Sequence, residues 1–353
     1  MLTACDYLNA LKKMQNRYSD DQLHLAARLY YMEGFGQEEV AKFVKVSQAK
    51  VSRLLALARE RGIVRITVAD YEPRERDLET RLRARLGLAD VIVIKTPEGL
   101  PPEDLRRNIG LFAAGALDAL IQPDSVIAIA GGRAIHALVG NIPESTGKRP
   151  TIVQSMGSVD SNINMFDAQE VGRVFAQRMG GSFVAMNTPA YVPEKTMRDS
   201  LRALGQIRVV NDLFDRADLA IIGIGTLDNS LFIERRVLKE EDAAALKQAG
   251  AAGEVCGRFF NAAGKECATP WRDCAMSIEL KQLAKIPRVI GVVAGSDRSA
   301  SILAAIAGGF LKGLVIDEPG ARALLAAAGQ PDAPTAAKTS ATKPKAKPKP
   351  KKS

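Results

Sequence analysis

The chain has 353 residues, of which 46% are hydrophobic and 25% charged, and its formal net charge is +9. This length and apolar content exclude a single small domain, so we expect two domains with extensions. No apolar run of about eighteen residues and no signal-peptide pattern occurs, which argues against a membrane-spanning helix and predicts a cytoplasmic protein.

Cysteines and histidines offer little material for a metal site or a catalytic site. His24 and His136 are too few for a metal cluster or a histidine-based triad, and we expect structural or surface roles for both. Neither a CxxC pair nor zinc spacing occurs among the cysteines, which are Cys5, Cys256, Cys267 and Cys274. We therefore expect reduced, partly buried thiols, no metal, no cofactor and no catalytic residue.

Four helical segments are predicted before residue 62. Residues 2–31 hold two amphipathic helices, the second beginning near Ser19 with two aspartates in its first turn, and both should pack beneath the pair that follows. In residues 37–44 an apolar stripe at helical spacing comprises Val40, Ala41, Phe43 and Val44. After a turn at residues 43–46, Ser47 is a suitable N-cap for a helix whose buried face comprises Val51, Leu54, Leu55 and Ala58.

The second helix of this pair has a polar opposite face and an excess of three positive charges between residues 50 and 61. Two short helices across a tight turn, with a basic second helix, are typical of a helix-turn-helix DNA-binding motif. Side chains able to meet base edges or phosphates are Gln37, Ser47, Gln48, Ala49, Lys50, Ser52 and Arg53. The alternative is an ordinary helical hairpin with a solvated basic face. Gly62 should end the helix, and residues 63–68 predict a wing strand.

A charged helix is predicted at residues 74–86, with Leu78, Leu82 and Leu86 on one stripe. This narrow seam could pair with another subunit or dock on the next domain, and the sequence leaves both open. We expect residues 1–70 to form the helix-turn-helix domain and residues 71–88 the linker helix.

From residue 90 onward, short apolar runs alternate with helical segments. Buried strands are predicted at residues 91–94, 126–130, 151–154, 182–186, 219–222, 289–293 and 314–316. Helices are predicted at residues 105–120, 169–179, 240–249 and 299–307. This alternation predicts an α/β, doubly wound, Rossmann-like domain over residues 89–330, whose ligands bind at the carboxyl ends of the strands.

Three loops follow predicted strands and are candidates for ligand contacts. Gly131, Gly132 and Arg133 could hold an anion or a hydroxyl-rich ligand with backbone amides and a guanidinium. The loop at residues 223–226 lacks the third glycine of a dinucleotide fingerprint, because residue 228 is aspartate, and this weakens a dehydrogenase interpretation. The third loop covers residues 293–299. For each loop, the alternative is a glycine that only permits a tight turn.

The segment from residue 331 carries seven lysines and one aspartate, so most of the net charge lies there. It is rich in lysine and proline, has no large apolar residue, and is predicted to be disordered. It could add salt-sensitive affinity for DNA phosphates, or it could be a solubilising extension without a specific role.

Several specific stretches carry a family resemblance that spans roughly residues 19–329. In the first domain these are residues 27–31, Gln37, Ala41, residues 51–55, 58–59 and 62–64. In the second they are residues 153–158, 187–190, Asp218, 223–225, 253–255, 257–260, 294–295 and 316–318. The chain closely resembles the SorC family of bacterial sugar-responsive transcriptional regulators.

The resemblance implies a DNA-binding domain followed by an effector domain similar in fold to sugar-phosphate isomerases. It further implies that a sugar, sugar phosphate or polyol alters binding to double-stranded operator DNA, and that the chain forms a homodimer or homotetramer. By the same resemblance, Gly131, Gly132, Gln154, Glu254 and Asp317 lie near the effector. Three more residues complete the predicted effector site, namely Arg133, Gly157 and Arg298.

Two departures from the family pattern bear on effector charge. Arg133 and Ala134 stand where the family usually carries threonine, and Ser299 stands where it usually carries lysine. Losing a hydroxyl and an ammonium removes two groups suited to phosphate, so we hypothesise an effector with little or no phosphate, although Arg133 and Arg298 could compensate.

An enzyme of the sugar-phosphate isomerase or deaminase type, with an appended DNA-binding domain, is the rival hypothesis. Asp317 and Glu318 are available carboxylates, but no histidine accompanies them and Ser299 replaces a useful lysine. Since a fold does not determine a function, we favour a regulator of a carbohydrate or polyol catabolic operon.

Overall fold

The computed structural model describes residues 18–67, 69, 71–97, 99–144, 146–295 and 297–329. The chain divides into two compact units, the first ending at Tyr71 and the second beginning at Glu72. The helix predicted before Ser19, Cys5 and the lysine-rich segment from residue 331 all lie outside the described residues.

The first unit is helical, as predicted. Its helices are α1 (Asp20–Tyr31), α2 (Gln37–Phe43) and α3 (Gln48–Glu60). Ser19 begins α1 with a capping box, in which its hydroxyl accepts from the Gln22 amide and the Gln22 side chain accepts from the Ser19 amide. The apolar faces of the three helices form one core, which includes Leu23, Ala26, Val40, Ala41, Val51, Leu54, Leu55 and Ala58.

The turn between α2 and α3 is tight because Lys45 takes a left-handed conformation with φ of 55°. Gly62 also has a positive φ, 72°, and follows Arg61, the C-cap of α3, as predicted for a glycine that ends a helix. Phe43 does not belong to the buried stripe, because its side chain is 60% exposed and lies edge-on to Phe35. The helix ends at Phe43, so the turn directs this ring away from the core.

The predicted wing strand is wrong for the residues described between 63 and 67, where no strand forms. Ile63 and Val64 instead pack on the helical core, and Ile66 is 58% exposed. A strand needs a partner for its backbone groups, and the described part of the first unit contains no other strand to pair with.

The second unit is built on a parallel seven-stranded sheet with the order β1-β9-β8-β5-β2-β3-β4. All seven predicted strands are confirmed: β1 (Asp90–Ile94), β2 (Val126–Ile129), β3 (Thr151–Gln154), β4 (Ser182–Val184), β5 (Leu219–Gly223), β8 (Arg288–Val292) and β9 (Gly313–Asp317). Central strands such as β2 and β9 are buried at every position, which explains why they appear in the sequence as continuous apolar runs.

Helices alternate with the strands of this sheet, and some of them lie where the sequence predicted helices. In chain order they are α4 (Arg76–Leu86), α5 (Pro102–Asp118), α6 (Arg133–Val139), α7 (Ala168–Met179), α8 (Lys195–Arg202), α9 (Gly205–Asp215), α10 (Leu231–Glu234), α11 (Glu240–Gln248), α12 (Pro270–Cys274), α13 (Leu280–Lys285), α14 (Ser299–Ala307) and α15 (Glu318–Ala327). The four predicted helices correspond to α5, α7, α11 and α14, with ends that agree within three residues.

An antiparallel hairpin of β6 (Ala251–Val255) and β7 (Arg258–Asn261) was not predicted. Its two-residue turn, Cys256 and Gly257, has φ values of 51° and 74°. Positive φ at both central residues is the geometry of a tight hairpin turn, but a Cys-Gly pair is not one of its usual signals. The sequence pattern therefore did not predict this hairpin.

The α4 helix docks on the sheet of its own chain through Leu78 and Leu82, which resolves the alternatives left open for its leucine seam. Behind these leucines, the buried Glu79 carboxylate accepts two hydrogen bonds from Arg74, at 2.6 and 2.8 Å. It also accepts from the Val93 amide of β1, at 3.1 Å. This network attaches α4 to the edge of the sheet.

Candidate functional site

The first turns of α3 present a polar, solvent-exposed surface. Val51, Leu54 and Leu55 point into the core, so the helix cannot rotate without exposing them. The opposite side holds six of the seven residues predicted to bind DNA, all exposed: Ser47, Gln48, Ala49, Lys50, Ser52 and Arg53. The seventh, Gln37, is half-buried at the start of α2.

Some side chains on this surface make no capping hydrogen bond or ion pair within the described residues. Ser47 is the N-cap of α3, and its carbonyl accepts from the Lys50 amide at 2.8 Å, yet its hydroxyl makes no capping hydrogen bond. Within the described residues, Lys50 and Arg53 have no ion-pair partner, whereas Arg61 pairs with Asp20 at 2.6 Å. Two cations and a hydroxyl are thus available for a polyanion.

A cavity of about 580 Å³ lies at the carboxyl ends of β2, β3, β5 and β8. We call it the carboxyl-edge cavity. It sits where the strand order places β2 between β3 and β5, the position at which open parallel sheets bind ligands. Seven of the eight residues predicted to contact an effector line it: Gly131, Gly132, Arg133, Gln154, Gly157, Glu254 and Arg298.

Glycine is required in the loop after β2 because of close packing, and the same loop lines the cavity. A Cβ on Gly131 would lie 2.6 Å from the Phe166 carbonyl oxygen and 2.7 Å from the Ala168 amide nitrogen. Gly132 has a φ of 133° and donates its amide to Phe166 at 2.7 Å. That amide is therefore engaged within the protein, and of this loop the Arg133 side chain is the better candidate for an anion.

Gln154 and Gly157 line the floor of the cavity and also make contacts that hold the fold together. The buried Gln154 side chain donates to the Met156 carbonyl at 2.7 Å and accepts from the Met186 amide at 3.0 Å. A Cβ on Gly157 would lie 2.5 Å from the carbonyl oxygens of Thr188 and Pro189. Both residues fix the path of the chain between β3 and β4.

Glu254 contributes a carboxylate from the unpredicted hairpin. One of its oxygens accepts from the Gly257 amide at 3.0 Å. Burial raises the pKa of Glu254, against the opposing effects of hydrogen bonds from Gly257 and Ser230. A carboxyl group accepts hydrogen bonds from hydroxyls, which suits a carbohydrate. Beside it, burial raises the pKa of the Cys256 thiol to about 12, so this cysteine is not a nucleophile.

Asp317 is not among the residues that line the cavity. Its side chain is fully buried and accepts from the Gly295 amide at 2.6 Å and the Gly320 amide at 2.8 Å. It caps α15 and holds the loop after β8, which carries Arg298. The structure thus places Asp317 behind the lining, in a positioning role.

Two arginines in the lining were missed by sequence reasoning, Arg106 of α5 and Arg235 after α10. Arg106 lies one residue from Arg107 in a charged helical turn, and no motif distinguishes the two. Arg235 pairs with Asp160 at 3.1 Å and Asp167 at 2.9 Å, which connects two loops at the mouth of the cavity. Only the tertiary structure brings these residues to the carboxyl edge.

None of the described helices is long and apolar enough to cross a membrane. Cys256, Cys267 and Cys274 are buried free thiols, in agreement with the sequence prediction.

Comparison with known proteins gives the same division of the chain. The profile of the family described as "Putative sugar-binding domain" matches residues 73–326, and that of "ECF sigma factor" matches residues 4–66. The chain is 31% identical over 322 residues to the erythritol catabolism regulatory protein EryD of Brucella abortus, covering 89% of this chain and 98% of EryD. It is 28% identical over 310 residues to the deoxyribonucleoside regulator of Bacillus subtilis, covering 85% and 96%.

A solved structure is similar to this chain over residues of both units. The full-length sorbitol operon regulator SorC of Klebsiella pneumoniae matches with a TM-score of 0.66 and 25% sequence identity, over 87% of this chain and 100% of that one. The chain is thus similar over nearly its whole described length to proteins named as regulators of carbohydrate operons.

Proposed function

We propose, from the premise that this chain belongs to the SorC family of sugar-sensing transcriptional regulators, that α3 contacts operator DNA and the carboxyl-edge cavity binds the controlling carbohydrate. The chain is a sugar-controlled DNA-binding regulator, and these assignments give the two activities their residues. The observation that carries the proposal is the cavity, which gathers seven residues predicted from separate parts of the sequence.

DNA binding is assigned to the exposed face of α3 and to Gln37. Ser47, Lys50 and Arg53 lie on the first turns of α3, the part of a recognition helix that enters the major groove. Their hydroxyl, ammonium and guanidinium suit phosphate oxygens and base edges. A homodimer would present two such helices to half-sites separated by whole turns of DNA, and a homotetramer would present two pairs.

Effector binding is assigned to the carboxyl-edge cavity, whose groups are mixed in the way that a carbohydrate requires. Gly131, Gly157 and Ile224 leave space and apolar surface for sugar carbons, while Asn229 and Glu254 offer hydrogen-bonding groups to hydroxyls. Binding there shifts the population between operator-binding and non-binding assemblies, provided that the carbohydrate has a higher affinity for one of them. Such a regulator acts where operator DNA is, in the cytoplasm.

The test uses the full chain and fluorescent DNA from its own upstream region. A panel of sugars, polyols and their phosphate esters is added while DNA affinity is measured by anisotropy, and we expect one class to change the affinity by about 5-fold to 150-fold. Glu254→Gln should weaken the response to that carbohydrate and leave DNA affinity in its absence unchanged. Glu241→Gln, on the exposed face of α11, is the matched control.

Two outcomes would count against the assignments. If no carbohydrate alters the DNA affinity, the proposed sensor function is wrong. Equal responses of Glu254→Gln and Glu241→Gln would place the effector elsewhere than the carboxyl-edge cavity.

We further propose that the cavity binds without turnover. Its described lining contains no histidine and no lysine, and burial raises the pKa of the Cys256 thiol, so Schiff-base chemistry lacks its amine and a carboxyl such as Glu254 is the available acid or base. Incubation with pentose and hexose phosphates should leave each substrate unchanged. Isomerised or deaminated product that disappears in Glu254→Gln would establish an enzyme instead.

A further inference from the structure

Four guanidinium groups line the carboxyl-edge cavity, and they differ in how they are paired. Arg235 is 12% exposed and is neutralised by Asp160 and Asp167. Arg133 pairs with Glu234 at 3.3 Å, but both side chains are more than half exposed, and such pairs are weak. Arg298 donates to the Ala294 carbonyl at 2.9 Å and lies 3.4 Å from Asp297.

Arg106 is the unpaired member of this group. Within the described residues its guanidinium has no hydrogen bond and no ion pair. Burial, followed by the positive charges of Arg133 and Arg298, lowers the pKa of Arg106, while Glu103 opposes this effect. Glu103 itself pairs with Arg107 at 3.3 Å. Arg133 at the start of α6 and Arg298 in the loop after β8 therefore both repel Arg106 of α5, and all three side chains line the same cavity.

We propose that Arg106 is a specificity-determining residue, which together with Arg133 and Arg298 forms a seat for a dianionic group, so that the effector carries a phosphate monoester. Like charges held together in a half-buried site destabilise the empty protein, and a bound dianion converts that repulsion into attraction. A phosphate monoester carries a charge of about −1.5 to −2 at pH 7 and three acceptor oxygens, one for each guanidinium.

This inference rests on the proposed function, because it names the chemical class of the ligand in the same cavity. It also replaces the hypothesis of an effector with little or no phosphate. That hypothesis considered only the threonine and lysine absent from two loops, because no sequence motif indicates that α5 places a third arginine in the cavity.

The experiment compares matched ligands by calorimetric titration of the full chain, each polyol or sugar beside its own phosphate ester. We expect the ester to bind more tightly than its parent. Arg106→Gln should lower affinity for the ester about tenfold or more and lower affinity for the unphosphorylated parent by a much smaller factor. Arg106→Lys should recover part of the loss, because it retains charge but not the planar fork.

Arg107→Gln is the control, since Arg107 is the adjacent residue in α5, is 70% exposed and pairs with Glu103 and Asp104. In a second measurement, inorganic phosphate should raise the melting temperature of the wild type and of Arg107→Gln, and raise it less in Arg106→Gln. This readout tests the seat without depending on the choice of carbohydrate.

The outcomes separate the two proposals. Parents that bind as tightly as their esters, sugar acids that bind in place of esters, or equal effects of Arg106→Gln and Arg107→Gln would overturn the phosphate seat while leaving a carbohydrate sensor. If phosphate stabilises the chain through Arg106 but no carbohydrate changes DNA affinity, the seat stands and the sensor function fails.

Discussion

The helix-turn-helix unit and the sheet unit differ in whether their candidate functional residues also hold the fold together. On α3, the side chains of Lys50 and Arg53 are exposed to solvent and make no ion pair within the described unit. In the sheet unit, Gln154 lies in the cavity floor and also satisfies two backbone groups. One unit separates function from stability, and the other combines them.

This contrast follows from how each site is built. A helix can be buried on one face and exposed on the other, so packing residues and contact residues alternate along the same segment. A cavity at the end of a parallel sheet is enclosed by loops, whose buried backbone groups need partners. Its lining must therefore supply hydrogen bonds to the protein before it supplies any to a ligand.

The largest effect is expected at the network that fastens α4 to β1. Glu79→Ala removes the carboxylate that neutralises the Arg74 guanidinium and accepts from the Val93 amide, and breaking a buried pair of this kind costs about 3–5 kcal/mol. The free energy of unfolding of the sheet unit, from urea titration, should fall by that amount.

Asp77→Ala supplies the comparison for Glu79→Ala. Asp77 lies two residues away on α4, is 70% exposed, and approaches Arg81 at 3.6 Å. Its loss should cost less than about 1 kcal/mol, because exposed pairs contribute little. Similar losses for the two variants would mean that α4 is not held by the buried carboxylate.

Gln154→Ala should lower stability and effector affinity together. It leaves the Met186 amide and the Met156 carbonyl without their partner, and an unsatisfied buried group costs about 1–3 kcal/mol. Urea titration and calorimetry on the same variant measure both losses. Gln177→Ala, on an exposed part of α7, should change neither. If the effector affinity falls while the free energy of unfolding is retained, Gln154 contributes to binding but not to stability, and the contrast between the two units disappears.

The sheet was predictable because its strands are buried on both faces and thus form uninterrupted apolar runs, as in residues 126–129 and 313–317. Most of the cavity lining was predictable too, since it lies in loops that follow those strands. The β6-β7 hairpin was not, because its Cys256-Gly257 turn lacks the usual sequence signal. Arg106 and Arg235 were not, because a charged residue in a helix or loop reveals its neighbours only through tertiary structure.

Two failures in the first unit have the same origin. Phe43 has the spacing of a core residue, but the helix ends there and the turn exposes its ring. Residues 63–67 have strand composition, but the described residues of the unit offer no strand to pair with. Local pattern predicted which residues are apolar, while the neighbours decided what those residues contact.

Arg53→Ala should change operator binding without changing the fold. Loss of one charged contact to a base or phosphate costs about 1–3 kcal/mol, so anisotropy should show weaker binding while the melting temperature of the chain stays the same. Arg28→Ala is the control in the same unit, since Arg28 is 76% exposed on α1 and pairs with Glu33. If DNA affinity is unchanged in Arg53→Ala, or falls equally in Arg28→Ala, the assignment of the recognition surface to α3 is wrong.

The smallest effect distinguishes two serines that occupy the same position relative to their helices. Ser19 caps α1 through its hydroxyl, so Ser19→Ala should lower the free energy of unfolding of the first unit by about 0.5–2 kcal/mol. Ser47 begins α3 without such a bond, so Ser47→Ala should leave that free energy nearly unchanged and weaken operator binding. If Ser47→Ala instead destabilises the unit as much as Ser19→Ala does, its hydroxyl caps the helix in solution, and the free donor assigned to DNA is lost.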